Sequence, residues 1–387
     1  MTVPGFRDFD PGGFLRDHWQ KAPLLIRNPW LEWRNPLMPE ELAGLSCERE
    51  VESRLMSRVA GNDWELVHGP LSPSLFARSM KQPWTLLVQS VDHHVPDVAA
   101  LLEPFRFIPN WRIDDVMVSY ATDGGGVGPH FDQYDVFLVQ GMGRRQWRIG
   151  PRCDDSTVLL PHDGLRLLAD FEPTQEWVLD PGDILYLPPG FSHDGVAVSS
   201  DCMTYSIGFR APSRAELISG WTEHLLDTLD EDDRYSDAGL QSPENPGEIA
   251  AGSLDLLQRM VSDALADRAE FARWFGAYVT APKSDLVDWA PDQALPMDDL
   301  RRSLSTEAGL ERNPASRFAF VRREPQALTL FVDGVPYDCE GKAAAFAERL
   351  CANAFLAIDP EWAASHEVTG LVRDLVNCGG VAVIASD

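Results

Sequence analysis

Short apolar or alternating runs separated by Gly, Pro, Asn and Asp fill most of the first 210 residues. The clearest are "WTLLVQSV" (84–91), "DVMVSYA" (115–121), "YDVFLVQ" (134–140), "RQWRIG" (145–150), "EWVLD" (176–180), "DILYLP" (183–188) and "MTYSIGF" (203–209). Runs of this length with turn formers between them predict strands of an all-β sandwich or barrel. A helix is predicted near Pro11–Trp19, followed by a buried strand in "APLLIRN".

The period changes at 213. "SRAE" reads as a capping box, with Ser213 at the N-cap and Glu216 three residues on. Leu217, Trp221, Leu225 and Leu229 then recur at helical spacing. The acidic, turn-rich stretch 230–248 is a loop or linker, and one amphipathic helix is predicted over about 253–278, with Leu254, Leu257, Val261, Leu265 and Phe271 on or near one face. From about 282 short helices and strands mix: a hairpin in "RFAFVRREPQALTLFVDGVPYDC", two helices, and a last strand "VAVIAS". That pattern is compatible with a winged-helix module.

At 387 residues the chain exceeds one small core. No apolar run is long enough for a membrane span, and the first residues lack the basic and apolar regions of a secretory signal. Six scattered cysteines with no C-x-x-C pair suit a reducing cytoplasm and buried free thiols. The 33 basic and 60 acidic residues leave a net charge of −27, which repels nucleic-acid backbones and attracts cationic partners. Residues 282–387 hold 10 Lys and Arg against 17 Asp and Glu, so the C-terminal module shows no basic face for nucleic acid.

Chemistry concentrates in "PHFDQYDVFLVQGMGRRQW" (129–147). His130 and Asp132 stand two apart, on one face of an extended chain. A third ligand fits His193, in Gly182-Asp183…Pro188…Gly190…His193, the spacing of the second cupin motif. Two imidazoles and one carboxylate, with other positions open, form the facial triad of non-haem Fe(II) oxygenases. The remaining histidines, His18, His68, His93, His94, His162, His224 and His366, lack converging partners; the adjacent His93 and His94 would face opposite sides of a strand.

Such an iron needs an organic electron donor, commonly 2-oxoglutarate, whose distal carboxylate wants a fixed cation. Arg144 and Arg145 face opposite ways on a strand, and Arg145 shares its face with Trp147, so Arg145 is the one predicted to point inward.

The stretch "DDVMVSYATDGGGVGPHFDQYDVFLVQGMGRRQWRIG", with "FLRDHWQKAPLLIRN" and "PGDILYLPPGFSHDGVA", resembles the JmjC-type (cupin) bacterial ribosomal oxygenases, arginine hydroxylases of large-subunit ribosomal protein sixteen. The resemblance is motif-specific over roughly 1–212. It implies a mainly β jelly-roll cupin (double-stranded β-helix) at 1–212, a helical dimerisation segment at 213–281 and an α+β winged-helix domain at 282–387. It implies Fe(II) held by His130, Asp132 and His193, with Ser119 and Arg145 binding 2-oxoglutarate and O2 as the oxidant. It also implies a basic ribosomal protein as substrate, a homodimer, and a cytoplasmic location.

Two alternatives stay open. The same chemistry could act on a histidine of a ribosomal protein; the pocket decides, because an arginine substrate would favour a carboxylate near its mouth, for which Asp115, Asp123 and Asp194 are candidates. Alternatively, the chain could be a non-catalytic cupin regulatory protein, which loss of a metal ligand would support. A cupin isomerase would usually present three histidines and a glutamate in place of His-x-Asp.

Overall fold

The computed structural model describes residues 4–60, 63–76, 82–162, 164–230, 232–284, 286–304 and 308–385. The described residues up to Ala211, with short stretches at 284–288 and 313–315, form one compact unit, and the rest form a second.

In the first unit the strands are β1 (Leu24–Ile26), β2 (Ser53–Ala60), β3 (Asp63–His68), β4 (Trp84–Val88), β5 (Ile113–Ala121), β6 (Asp135–Met142), β7 (Arg145–Arg152), β8 (Gln175–Leu179), β9 (Ile184–Leu187), β10 (Phe191–Ala197) and β11 (Cys202–Phe209). They build an eight-stranded sheet, β1-β9-β6-β11-β5-β4-β2-β3, and a three-stranded sheet, β10-β7-β8. Every pairing in both sheets is antiparallel. Two antiparallel sheets with neighbours distant in sequence make the predicted jelly-roll cupin.

Strand β6 shows why its sequence is almost continuously apolar. Phe137 and Val139 turn to a core with Phe105, Tyr186 and Phe209, while Val136 and Leu138 turn to Trp147, Ile149 and Leu179 of the smaller sheet. A strand buried on both faces loses the polar alternation of a half-exposed one. Each fully buried aromatic or Leu contributes roughly 1.5–3 kcal/mol.

The start of β6 is pinned by Asp135, which is fully buried. Its carboxylate accepts hydrogen bonds from Tyr186 Oη (2.6 Å), Gln20 Nε2 (3.0 Å) and Arg112 Nη2 (3.0 Å). Burial raises its pKa, and those three partners oppose the rise. The link ties the turn after the helix Pro11–Asp17 to the strand that follows Asp132.

His93 lies in a short 3-10 turn, Val91–His93, and not in a strand. The hairpin β2–β3 was not legible as strands, because its apolar positions are interrupted by Arg54, Arg58 and Glu65.

The second unit opens with the helix Arg214–Leu226. Its capping box is present: Glu216 N donates to Ser213 Oγ (3.1 Å), and Ser213 N donates to a Glu216 carboxylate oxygen (2.6 Å). The continuous helix expected over 253–278 is instead two, Ala251–Leu265 and Arg268–Thr280. Asp267 causes the break, since its carboxylate accepts from Ala269 N (2.9 Å) and Glu270 N (3.0 Å) and so caps a new helix. Trp221, Leu225 and Trp274 are buried together, with Leu217 and Phe271 against them.

Beyond these helices lie β12 (Ala308–Arg312), β13 (Phe318–Glu324), β14 (Ala327–Val332), β15 (Val335–Glu340), β16 (Phe355–Ala357) and β17 (Val381–Ala385). They form two three-stranded sheets, β16-β12-β17 and β13-β14-β15. The predicted hairpin is thus a three-stranded meander, closed by an Asp333-Gly334 turn with both residues at positive φ. The helices Gly341–Ala352 and His366–Asn377 supply Phe346, Leu350, Leu371 and Leu375 to a core with Leu328 and Leu330.

Candidate active site

His130, Asp132 and His193 come together. Their ligand atoms all lie within 4.8 Å of one another, the one such group of three metal-binding side chains among the described residues. Asp132 Oδ2 is 3.6 Å from His193 Nε2 and 4.0 Å from His130 Nε2. The imidazole rings are 4.3 Å apart.

Local backbone chemistry sets this up. His130 Nδ1 is 2.9 Å from Gly128 O, and His193 Nδ1 is 2.9 Å from Phe191 O. Each carbonyl holds the proton on Nδ1 and leaves the Nε2 lone pair facing Asp132. His193 is 3% exposed; burial first, then the neighbouring His130, lowers its pKa to about 4. The ring is therefore neutral near pH 7, the state a metal requires.

Gly190, at φ +81°, explains one position of the cupin-like motif. The left-handed turn aims its N–H at Asp132 O (2.7 Å), tying the segment before His193 to the loop that carries Asp132. Asp183 has a different job. It is buried and accepts from Arg27 Nη1 (2.5 Å), Asn28 N (3.0 Å) and Asp180 N (2.9 Å), so it fastens the N-terminal segment to the sheet.

The three side chains sit on a cavity of about 340 Å³ that Ser119, Arg145, Trp147, Thr204 and Ser206 also line. Arg145 is 3% exposed, whereas Arg144 is exposed in the turn. The Arg145 Nε donates to Cys202 Sγ (3.5 Å), while its Nη2 is buried with no hydrogen-bond partner. A buried guanidinium with an unmatched donor is costly unless an anion occupies the cavity beside it. Ser119 is likewise buried, directly opposite Thr204 in the β5–β11 pairing.

Thr204 and Ser206 escaped the sequence reasoning. Their trace was a polar residue at every second position of an otherwise apolar strand, "MTYSIGF", which marks a face turned to a ligand space. The carboxylate candidates separate in the structure. Asp115 is buried on the same face of β5 as Met117 and Ser119, which line the cavity, and it accepts from Ser90 N (3.0 Å) and Ser90 Oγ (2.9 Å). Asp194 lies on the face of β10 opposite His193, paired with Arg148. Asp123 is exposed in a turn.

A JmjC domain model matches residues 100–217, a ROXA-like winged helix model residues 263–380, and an AraC-like ligand binding domain model residues 172–272. The Escherichia coli K12 "Ribosomal protein uL16 3-hydroxylase" is 40% identical over 291 residues, covering 75% of this chain and 77% of that protein. The chain belongs to the ribosomal oxygenase family. A "Probable ribosomal oxygenase" of Haemophilus influenzae is 38% identical over 280 residues, covering 71% of this chain and 69% of the relative.

Solved structures agree over almost the whole ribosomal oxygenase chain. The X-ray structure of E. coli YcfD superposes with a TM-score of 0.87 at 33% identity, covering 99% of this chain and 100% of that one. A YcfD structure in complex with cobalt and 2-oxoglutarate gives 0.86 at 33% identity, over 98% and 99%. The non-catalytic alternative has no support here: none of the three ligand positions is lost.

Proposed function

We propose that this chain is an Fe(II)- and 2-oxoglutarate-dependent oxygenase that hydroxylates an arginine side chain of a large-subunit ribosomal protein. The observation that carries it is one cavity lined by both the His130-Asp132-His193 face and the buried guanidinium of Arg145, whose Nη2 has no partner. Two imidazoles and a carboxylate suit a divalent first-row ion. Arg145 suits the distal carboxylate of a dicarboxylic cosubstrate, with Ser119 beside it.

In this reading His130, Asp132 and His193 hold the iron, and Arg145 and Ser119 orient 2-oxoglutarate. Bound iron and 2-oxoglutarate supply the oxygen activation, one atom of O2 entering succinate with loss of CO2 and the other entering the substrate. The protein's share is placement. The Nδ1–carbonyl bonds keep both imidazoles in the ligating tautomer, and Trp147 and Leu138 supply apolar wall to the cavity that Arg145 and Ser119 line.

Of the three carboxylate candidates Asp115 alone lies on the face of β5 that carries the cavity residues Met117 and Ser119, and the arginine reading puts the substrate guanidinium on that side. The net charge of −27 suits a basic ribosomal protein. The same composition weighs against direct nucleic-acid binding by the C-terminal module. A cytoplasmic location goes with that substrate and with six free cysteines. No helix among the described residues is long and apolar enough to cross a membrane.

The division into a catalytic part (1–212), a helical segment (213–281) and a winged-helix part (282–387) belongs to the same proposal, with the helical segment making a homodimer. Leu254, Leu257, Val261 and Leu265 are 42–61% exposed along one helix, which has no buried residue of its own. A second copy would cover that face.

Mass spectrometry of ribosomal proteins from cells with and without this chain tests the function. A 16 Da gain on an arginine of one large-subunit protein, present only with the chain, is the expected result. The same gain on a histidine would move the target to the other reading, and no gain on any ribosomal protein would overturn the proposal.

A further inference from the structure

The cavity around the proposed metal ligands carries a charge opposite in sign to that of the whole chain. Its lining holds Arg54, Arg145 and Arg166 but, among the described residues, a single carboxylate, Asp132. The chain has a net charge of −27. Arg145 already has a place in the proposed function; Arg54 and Arg166 have none.

These arginines lie at different depths. Arg145 is 3% exposed, Arg54 on β2 is half-buried, and Arg166 is exposed, as is Gly164 beside it in the lining. Lining residues that are themselves exposed mark where a cavity opens to solvent, so Arg166 stands at the mouth. Arg54 shares a face of β2 with Met56, which also lines the cavity. Among the described residues, neither the Arg54 nor the Arg166 guanidinium is neutralised by an ion pair. Both charges act on whatever approaches.

The species that use the site decide which of them those charges suit. The metal is a cation, O2 is neutral, and the proposed protein substrate is basic. 2-Oxoglutarate is the one anion that has to enter, and it carries two negative charges. It approaches through the field of a strongly acidic protein, which repels it. Fixed positive charge at a cleft mouth reverses the local sign, and such focusing raises on-rates by roughly 10–1,000-fold.

We propose that Arg54 and Arg166 are steering residues for the cosubstrate: they make the cavity mouth an electrostatic funnel that draws 2-oxoglutarate in towards Arg145. They set how fast it arrives, while the seat itself sets how long it stays. The inference rests on the cosubstrate assignment made above.

The test uses full-length protein loaded anaerobically with Fe(II) and mixed with 2-oxoglutarate by stopped flow. The visible charge-transfer absorption of the complex reports binding without turnover. Arg54→Gln and Arg166→Gln are each expected to lower the association rate constant at least about threefold at low ionic strength, and together about tenfold. Dissociation is expected to stay within about twofold of wild type, as for a charge outside the seat. At about 1 M salt, where the screening length is about 3 Å, wild type should fall to the rate of the double variant. Arg54→Lys and Arg166→Lys keep the charge and should keep the wild-type rate, which a fork-shaped contact to a carboxylate would not survive. Unchanged association in the Gln variants, or a loss confined to dissociation, overturns the proposal. Arg145→Ala separates the two levels: if it speeds dissociation while the Gln variants associate normally, only the steering fails. If Arg145→Ala also binds like wild type, the cosubstrate assignment fails with it. Should Arg54→Gln misfold, Arg166→Gln, at an exposed loop position, decides alone.

Discussion

His130 and His193 bond to each other through their backbones in both directions, His130 N to His193 O at 3.0 Å and His193 N to His130 O at 2.8 Å. The two imidazoles are therefore set by a β-bridge as well as by their own rotamers. A preformed pair leaves little ordering cost for an ion at the proposed metal site, which a third side chain completes.

That third side chain is Asp132. Asp132→Ala removes the only carboxylate of the proposed metal site and is expected to abolish turnover and weaken metal binding by at least about tenfold. Titration with Co(II), followed by its visible absorption, measures this. Conversion of 2-oxoglutarate to succinate at the wild-type rate would show that the three residues are not the metal site.

The burial of Arg145 against the exposure of Arg144 predicts an asymmetric pair of variants. Arg145→Ala should raise the KM for 2-oxoglutarate at least about tenfold, since a buried charge-assisted contact is typically worth more than about 1.4 kcal/mol. Arg144→Ala should change it less than about twofold, in line with an exposed side chain. Equal effects would mean that the cosubstrate anchor lies elsewhere.

The uncovered apolar face at Leu254–Leu265 predicts a dimer, with light scattering reading twice the 43.0 kDa chain mass. Val261→Arg, which puts a charge in the middle of that face, should shift the population to monomer without altering Co(II) binding. A wild-type monomer at micromolar concentration would refute the homodimer.

In the second unit, Asp333 predicts a pH dependence of stability. Burial, against opposing contributions from Ser316 and Arg312, raises its carboxyl to about 6. With the folded value above the unfolded one, this group's stabilising contribution is full below about pH 4 and is lost as pH rises through about 6. Asp333→Asn keeps an acceptor for Arg317 N and tolerates the positive φ of the turn. It should therefore stabilise this unit by about 1–3 kcal/mol at pH 8 and by almost nothing at pH 4. Thermal melts at the two pH values check this, and a variant no more stable at pH 8 than wild type would contradict it.

Local chemistry alone determined a good deal. The two-residue period of a strand put His130 and Asp132 on one side and sent Arg145 inward with Trp147 while Arg144 faced out. The Gly182–His193 spacing picked out His193, which converges with the other two, "SRAE" marked a helix start, and the charge excess raised the expectation of a cationic partner. All of these depend on residues near in sequence or on composition, where backbone geometry and Coulomb's law act without knowledge of the fold. Tertiary structure decided the rest. Thr204 lies opposite Ser119 and Trp147 lies on Gly195, because β11 pairs with β5 and β7 with β10. Strand order is set by how whole faces bury against each other, and no local period carries it. The break at Asp267 shows the same limit at short range. One apolar stripe ran on through it, yet a capping carboxylate that satisfies two free N–H groups started a new helix.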